Sequence, residues 1–90
     1  MDIALQSMPM TRIAVIDFET TGISPAMGDR ATEVAIVITE RGRVVDRYQS
    51  LMNAGVRIPA FITQLTGITN AMIETAPAAE TVMREAARFV

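Results

Sequence analysis

Residues 13–22, which read IAVIDFETTG, decide how this chain is interpreted. The first four of them, IAVI, form a short continuous apolar run that ends at Asp17. Such a run predicts a strand that is buried on both faces and is therefore central in a sheet. Two acids, Asp17 and Glu19, follow, and residues two apart on a strand face the same side, about 6.6–6.8 Å apart. The sequence therefore predicts a buried strand that ends in two carboxylates on one face.

These two carboxylates repel each other unless a cation neutralises them. Hard cations such as Mg²⁺ prefer oxygen ligands and keep waters for exchange with phosphate. Paired cations about 3.5–4 Å apart can activate water and stabilise the leaving oxygen of a phosphodiester. The turn that follows, Thr20-Thr21-Gly22, offers hydroxyls and N–H groups to a phosphate or a sugar hydroxyl. Taken alone, the acids also fit a solvent-facing strand end, and the turn also fits an ordinary turn.

The composition of the whole chain limits the available chemistry. The chain has 90 residues, of which 50% are hydrophobic and 20% charged, so it fits one small folded domain. It contains no cysteine and no histidine, which excludes disulfides, thiolate metal sites and a Ser-His triad within these 90 residues. The net charge of −2 gives no overall basic footprint for nucleic acid, although a site with bound metal can still bind it. Any catalysis here needs carboxylates, hydroxyls, arginines or a metal.

Two more strands are predicted after this motif. Residues 20–30 are rich in loop-forming residues, and Val34–Ile38 is a second continuous apolar run, typical of a buried strand. A hairpin turn is predicted at 40–43, where Gly42 supplies a positive φ. Residues 44–51 mix apolar and polar side chains, which fits an edge strand with one solvated face.

Helices are predicted in the second half of the chain. Pro59 and Gly67 fit the first turn and the C′ position of one helix. Thr69 fits the cap of a short turn at 70–74, and a longer helix is predicted over 78–90. The predicted apolar face of this last helix contains Val82, Met83, Ala86, Phe89 and Val90.

The run at 15–22 resembles the first exonuclease motif of the DEDD superfamily. More narrowly, it is similar to the 3′→5′ exonucleases that resemble the epsilon subunit of DNA polymerase III. The resemblance covers residues 12–90 and implies an RNase H-like α/β fold, of which this chain is the N-terminal half. That half is a three-strand antiparallel meander followed by helices, and hence an incomplete domain, preceded by a disordered leader at 1–11. Further matching segments, in the family's order, are Gly28–Val34, Ile58-Pro59, Leu65–Thr69 and Ala76-Pro77.

The resemblance implies metal-dependent 3′→5′ hydrolysis of terminal phosphodiesters of DNA or RNA, with release of nucleoside monophosphates. Asp17 and Glu19 match the two first-motif carboxylates that bind a pair of Mg²⁺ ions, for which Mn²⁺ can substitute. Some family members have histidine where Thr66 stands. Contacts to the terminal nucleotide are implied for Thr20, Thr21, Gly22, Leu65 and Thr66.

The family's later motifs supply two further aspartates and a histidine base, and this chain contains no counterpart of them. Asp29 and Asp46 do not stand in matching contexts. The resemblance therefore implies half of the metal ligands and no base, so we expect little or no exonuclease activity from the isolated chain. Glu33 matches a recurrent acid of the second strand, for which we expect a structural pairing with an arginine such as Arg30.

Two alternative interpretations remain open. The chain fits a non-catalytic module that pairs with a partner chain or a second copy through the edge of strand 1 and the last helix. It also fits half of a split enzyme that a second polypeptide completes. The expected partners are the 3′ end of single-stranded DNA or RNA, and a polymerase or a second copy at the exposed sheet edge. The sequence does not distinguish DNA from RNA, or proofreading in DNA replication from repair and RNA trimming.

The N terminus lacks the basic region and the long apolar run of a signal peptide. No apolar run reaches the about 20 residues needed to span a bilayer. We therefore expect a cytoplasmic protein without a membrane partner.

Overall fold

The computed structural model describes residues 11–90, so the leader predicted at 1–11 lies outside the described residues apart from Thr11. A short 3₁₀ turn at Pro25–Met27 interrupts the loop after the first strand. The three-strand meander followed by helices is confirmed. The strands and helices are β1 (Arg12–Thr20), β2 (Ala31–Glu40), β3 (Arg43–Leu51), α1 (Ala60–Thr66), α2 (Asn70–Glu74) and α3 (Ala79–Ala87).

The three strands form one antiparallel sheet in the order β1-β2-β3, so β2 is the central strand. The prediction of a central, buried β1 is wrong for the described residues. Along β1, Val15 is 55% exposed and Phe18 is 41% exposed, whereas Val34 and Ile38 of β2 are 0% exposed. The apolar runs are alike, but β2 has a strand on each side, and β1 is paired by β2 alone within residues 11–90.

The β2–β3 hairpin turns at Arg41 and Gly42, with φ angles of 54° and 79°. The positive φ predicted for Gly42 is confirmed, and β3 is an edge strand of the sheet formed by residues 11–90, as predicted. Two successive positive φ angles match the right-handed twist of the flanking strands. The left-handed conformation of Arg41 has no signal in the sequence, because arginine does not favour it.

The main core lies between one face of the sheet and α3. Val82 and Ala86 of α3 are buried against β2, which confirms that they belong to the predicted apolar face. Met83 and Val90 of the same predicted face are 41% and 67% exposed, and the predicted extension of the helix to residue 90 is wrong, because the helix ends at Ala87. Both residues border a groove between β1 and α3 that the described residues leave uncovered. The core cluster consists of Val34, Ile36, Ile38, Met52, Val82 and Ala86.

A second, smaller core holds α1 and α2. Gly67 ends α1 with a φ of 79°, and its N–H donates to the Thr63 carbonyl at 2.8 Å. Thr69 caps α2, because its hydroxyl accepts the Met72 N–H at 3.1 Å. Both helix ends match their sequence signals. Leu51 and Ile62 pack against the centre of this core, which is formed by Ile58, Ile68 and Ile73.

Among residues 11–90, no helix has both the length and the apolar character that a bilayer crossing requires.

Candidate active site

The two acids predicted to bind metal lie in the last part of β1. Asp17 stands opposite Ala35 of β2, and Glu19 stands opposite Glu33. Because side chains alternate along a strand and opposite residues share a face, all three acids lie on one side of the sheet. We call this side, which carries Asp17, Glu19 and Glu33, the carboxylate face. The core against α3 lies on the opposite side.

The carboxylates of Asp17 and Glu19 are available to a ligand. Asp17 is exposed and Glu19 is partly exposed. Within residues 11–90, neither carboxylate accepts a side-chain hydrogen bond or joins an ion pair. Two unpaired carboxylates on one face are the donor type that a hard divalent cation prefers. The described residues contain no group of three or more potential ligands that could hold a metal, so Asp17 and Glu19 fit only part of a coordination sphere.

Glu33 is held by its neighbouring strand. Its Oε2 accepts a hydrogen bond from Gln49 Nε2 at 2.6 Å. The predicted pairing with Arg30 is wrong, because Arg30 Nη1 donates instead to the carbonyls of Pro25 and Asp29, at 3.0 and 2.7 Å. Gln49 reaches Glu33 because β3 runs beside β2 at this point.

The regular pairing of β1 changes at the two acids. The register shifts between Glu19 and Thr20, and the Thr32 hydroxyl donates to the Glu19 carbonyl at 3.1 Å. Bulges of this kind turn the chain and redirect the side chains beside them. The pairing resumes after the shift with Thr20 opposite Ala31, and the loop follows that pair.

That loop is closed by hydrogen bonds around Thr21 and Asp29. Thr21 is 4% exposed, and its hydroxyl donates to Asp29 Oδ1 at 3.1 Å and accepts the Arg30 N–H at 3.0 Å. The other oxygen of Asp29 accepts the Ser24 N–H at 3.1 Å. Sequence reasoning did not select Asp29, although an aspartate beside a loop glycine commonly closes a turn.

The structure places the predicted loop contacts as follows. Thr20 is exposed, and its hydroxyl donates to the Gly22 carbonyl at 2.7 Å. Thr20, Gly22 and Asp29 line an open depression of about 330 Å³. The Thr21 hydroxyl is occupied within the loop. Contacts of Thr20, Thr21 and Gly22 with a terminal nucleotide stay predictions.

The two residues of α1 that are predicted to contact the nucleotide differ in exposure. Leu65 is 76% exposed, whereas Thr66 is only partly exposed. The Thr66 hydroxyl donates to the Ile62 carbonyl at 2.9 Å and accepts the Ile68 N–H at 3.1 Å. Nucleotide contacts by Leu65 and Thr66 likewise stay predictions.

The second core connects α1 with the carboxylate face. Leu51 stands opposite Glu33, which stands opposite Glu19, so Leu51 belongs to the carboxylate face. Leu51 also packs against the isoleucine cluster that supports α1. Residues 65–66 therefore belong to a unit that is anchored at the same end of the sheet as Glu19.

The family model described as Exonuclease matches residues 14–90. The chain belongs to the exonuclease family. The match includes both carboxylates of β1, the loop after them and α1, so the resemblance seen in the motif at 15–22 is confirmed.

Two curated relatives extend this finding. The chain is 45% identical over 78 residues to "3'-5' exonuclease DinG" of Bacillus subtilis, which covers 87% of this chain and 8% of that protein. It is 40% identical over 90 residues to "DNA polymerase III subunit epsilon-like protein" of Rhodobacter capsulatus, covering 96% of this chain and 13% of that protein. The chain therefore spans only a small part of the length of these relatives.

A solved structure supports the fold. The nuclease domain of 3′hExo, described as a DEDDh family member bound to rAMP, superposes with a TM-score of 0.74. The sequence identity is 24%, and the superposition covers 86% of this chain and 42% of that one. The three-strand sheet with its helices is thus an RNase H-like fold fragment of the exonuclease type.

Proposed function

We propose that this chain forms the N-terminal half of the catalytic domain of a metal-dependent 3′→5′ exonuclease. The reaction is hydrolysis of the terminal phosphodiester of DNA or RNA, with release of nucleoside monophosphates. One observation carries the proposal: within residues 11–90, Asp17 and Glu19 lie without an ion-pair partner on one face near the end of β1, in a chain of the exonuclease family.

In this proposal Asp17 and Glu19 hold the divalent metal, which is Mg²⁺ with Mn²⁺ as a substitute. When bound, a pair of such ions activates water and stabilises the leaving oxygen. The loop at 20–22 presents backbone groups to the terminal sugar and phosphate. Leu65, exposed on α1, offers an apolar surface to the terminal base.

We propose little or no activity for the isolated chain. Asp17 and Glu19 give only two protein ligands, and the described residues hold no cluster that completes a metal site. With most of the coordination left to water, the ions bind weakly and are poorly positioned. The remaining ligands and the base then come from polypeptide outside residues 11–90.

The proposed substrate is the 3′ end of a single strand. The relatives' names include a DNA polymerase subunit-like protein, and the solved neighbour carries a ribonucleotide, so both nucleic acids belong in the assay. The proposal also includes a cytoplasmic location, association with a polymerase and a role in proofreading.

The test is a chimaera in which residues 14–90 replace the matching segment of the B. subtilis exonuclease. We expect 3′→5′ degradation of 5′-labelled single strands that depends on Mg²⁺ or Mn²⁺. Asp17→Asn and Glu19→Gln should each lower the rate by roughly 10²-fold or more, because each removes a charged metal ligand. The matched control is Asp46→Asn, on the exposed β3. Full activity in the Asp17→Asn or Glu19→Gln chimaera would refute the assignment.

A second candidate function rests on the exposed apolar residues of β1. Ile13, Val15 and Phe18 are 51%, 55% and 41% exposed beside a strand edge that no described strand pairs. Such a surface fits an interaction module, or half of a split enzyme, that pairs with a partner chain or a second copy. Sedimentation of the chain over a range of concentrations tests self-association. If the chain is an interaction module, we expect an oligomer whose formation depends neither on divalent metal nor on the Asp17→Asn substitution.

A further inference from the structure

We propose that Asp29 is a positioning residue that fixes the loop at 20–24 in the shape that receives the terminal nucleotide. The inference rests on the proposed function and adds a residue to it. It starts from the placement of the Asp29 carboxylate, which lies inside the loop and not at the metal-binding carboxylates.

The Asp29 carboxylate joins both arms of the loop. Oδ1 accepts the Thr21 hydroxyl at 3.1 Å, and Oδ2 accepts the Ser24 N–H at 3.1 Å. The Asp29 N–H donates in turn to the Ser24 carbonyl at 3.1 Å. Hydrogen bonds to a charged acceptor contribute more than neutral ones, so this carboxylate is a principal constraint on the loop.

Thr21 transmits that constraint to β1. Its N–H donates to the Arg30 carbonyl at 2.9 Å, and its hydroxyl accepts the Arg30 N–H at 3.0 Å. Thr21 is therefore tied at three points and is 4% exposed. Because Thr21 lies two residues after Glu19, the Asp29 contacts fix how the chain leaves the carboxylate face.

Gly22 shows how closely Asp29 fits. A Cβ atom on Gly22 would lie 2.4 Å from Asp29 Oδ2 and 2.6 Å from Cγ, distances that real Cβ contacts do not reach. Gly22 is not among the glycines with positive φ, so its backbone conformation suits other residues too. A side chain at position 22 would displace the Asp29 carboxylate and with it the hydrogen bonds to Thr21 and Ser24.

The consequence is a close coupling between two positions. Gly22 lines the depression beside the loop, and Asp29 bonds to Thr21 and Ser24, which flank Gly22 and Ile23. Asparagine at position 29 can keep the loop closed, because its carbonyl accepts the Ser24 N–H and its amide donates to the Thr21 oxygen. Alanine leaves both groups without an acceptor.

The first experiment is a double-mutant cycle on the full 90-residue chain. The urea unfolding midpoints of Gly22→Ala, Asp29→Ala and the double variant are compared with that of the wild type. We expect Gly22→Ala to lower the midpoint clearly in the wild-type background and far less in the Asp29→Ala background, where the space is free. Equal effects in the two backgrounds would overturn the packing argument.

The second experiment measures nucleotide binding by the variants, after circular dichroism has shown that each of them is folded. A 5′-labelled oligothymidine with a free 3′ hydroxyl is titrated in Mg²⁺ and followed by anisotropy, and amide resonances locate the change. We expect Asp29→Ala to weaken binding about tenfold, which is about 1.4 kcal/mol. Asp29→Asn should stay within about threefold of wild type, and shift changes should cluster at 20–24. Asp46→Ala is the control, since among the described residues the Asp46 carboxylate bonds only to the adjacent Arg47 N–H.

The outcomes separate the two proposals. A wild-type chain that binds neither oligothymidine nor the matching oligoribonucleotide overturns the positioning role, whereas the proposed function is decided separately by the chimaera that carries residues 14–90. A wild-type chain that binds, together with an Asp29→Ala variant that binds equally well, overturns the positioning role alone. Equal losses in Asp29→Asn and Asp29→Ala would also overturn it, because the closed loop would then not be what matters.

Discussion

Neutralising Glu19 should stabilise the metal-free chain, because Glu19 lies between two acids on the carboxylate face. Asp17 is two residues away on the same strand, and Glu33 stands directly opposite. At about 6 Å, two unit charges repel by roughly 0.7 kcal/mol in a water-like dielectric and by about 3 kcal/mol at an effective dielectric constant near 20. Exposure and physiological salt reduce this, so we expect about 0.5–1 kcal/mol from Glu19→Gln.

The assay is thermal unfolding at low salt, with and without Mg²⁺. For a chain of this size the expected gain corresponds to a rise in Tm of roughly 2–8 °C in EDTA. Mg²⁺ should reverse the order, because it stabilises the wild type by about 1.4 kcal/mol at ten times its Kd and has little effect on Glu19→Gln. Added NaCl at 1 M should remove most of the difference in EDTA.

The matched control is Glu80→Gln, which removes the same charge elsewhere. Glu80 pairs with Arg84 at 2.7 Å on the surface of α3, so its substitution should lower stability by no more than about 0.5 kcal/mol. The reasoning is refuted if Glu19→Gln unfolds at or below the wild-type temperature in EDTA. It is equally refuted if Mg²⁺ stabilises both proteins alike.

Three further predictions concern stability and are measured by urea unfolding. Ile36→Ala should cost about 2–5 kcal/mol because Ile36 is 2% exposed in the central strand, whereas Ile16→Ala, at 45% exposure on β1, should cost less than about 1 kcal/mol; similar costs would contradict the edge position of β1. Thr69→Ala should cost about 1 kcal/mol through the lost cap of α2, and Thr69→Ser should restore most of it. Gly67→Ala should cost about 1 kcal/mol because of its φ of 79°, and an unchanged midpoint would show that α1 ends differently.

The sequence predicted those parts of the fold that depend on neighbouring residues. The turn at Gly42, the end of α1 at Gly67 and the cap at Thr69 each need only a few adjacent residues, and all three are confirmed. Side-chain alternation likewise places Asp17 and Glu19 on one face once β1 is a strand.

The position of β1 in the sheet could not be read in this way. An apolar run indicates that a strand can be buried. Whether its side chains are buried depends on the strands and helices that pack beside it. Val34 and Val15 belong to similar runs, yet they are 0% and 55% exposed in the described part of the chain.

The contacts around the candidate site also escaped prediction, because they join distant positions. Asp29 meets Thr21 eight residues earlier only after the loop has closed. Glu33 meets Gln49 only in the register of β2 with β3, which no local pattern specifies. The sequence motif identified the two carboxylates, whereas the residues that contact the neighbouring loop and Glu33 could be identified only in the folded chain.

The central claim is that Asp17 and Glu19 together bind a divalent cation, and paramagnetic broadening by Mn²⁺ tests it most directly. Small amounts of Mn²⁺ are added to the ¹⁵N-labelled chain, and the loss of each amide signal is recorded. The account predicts selective broadening at 17–20 and at the facing residues 33–35, and its loss in Asp17→Asn/Glu19→Gln. Broadening centred on another acid, such as Glu40 or Glu85, with the β1 signals intact, would contradict it.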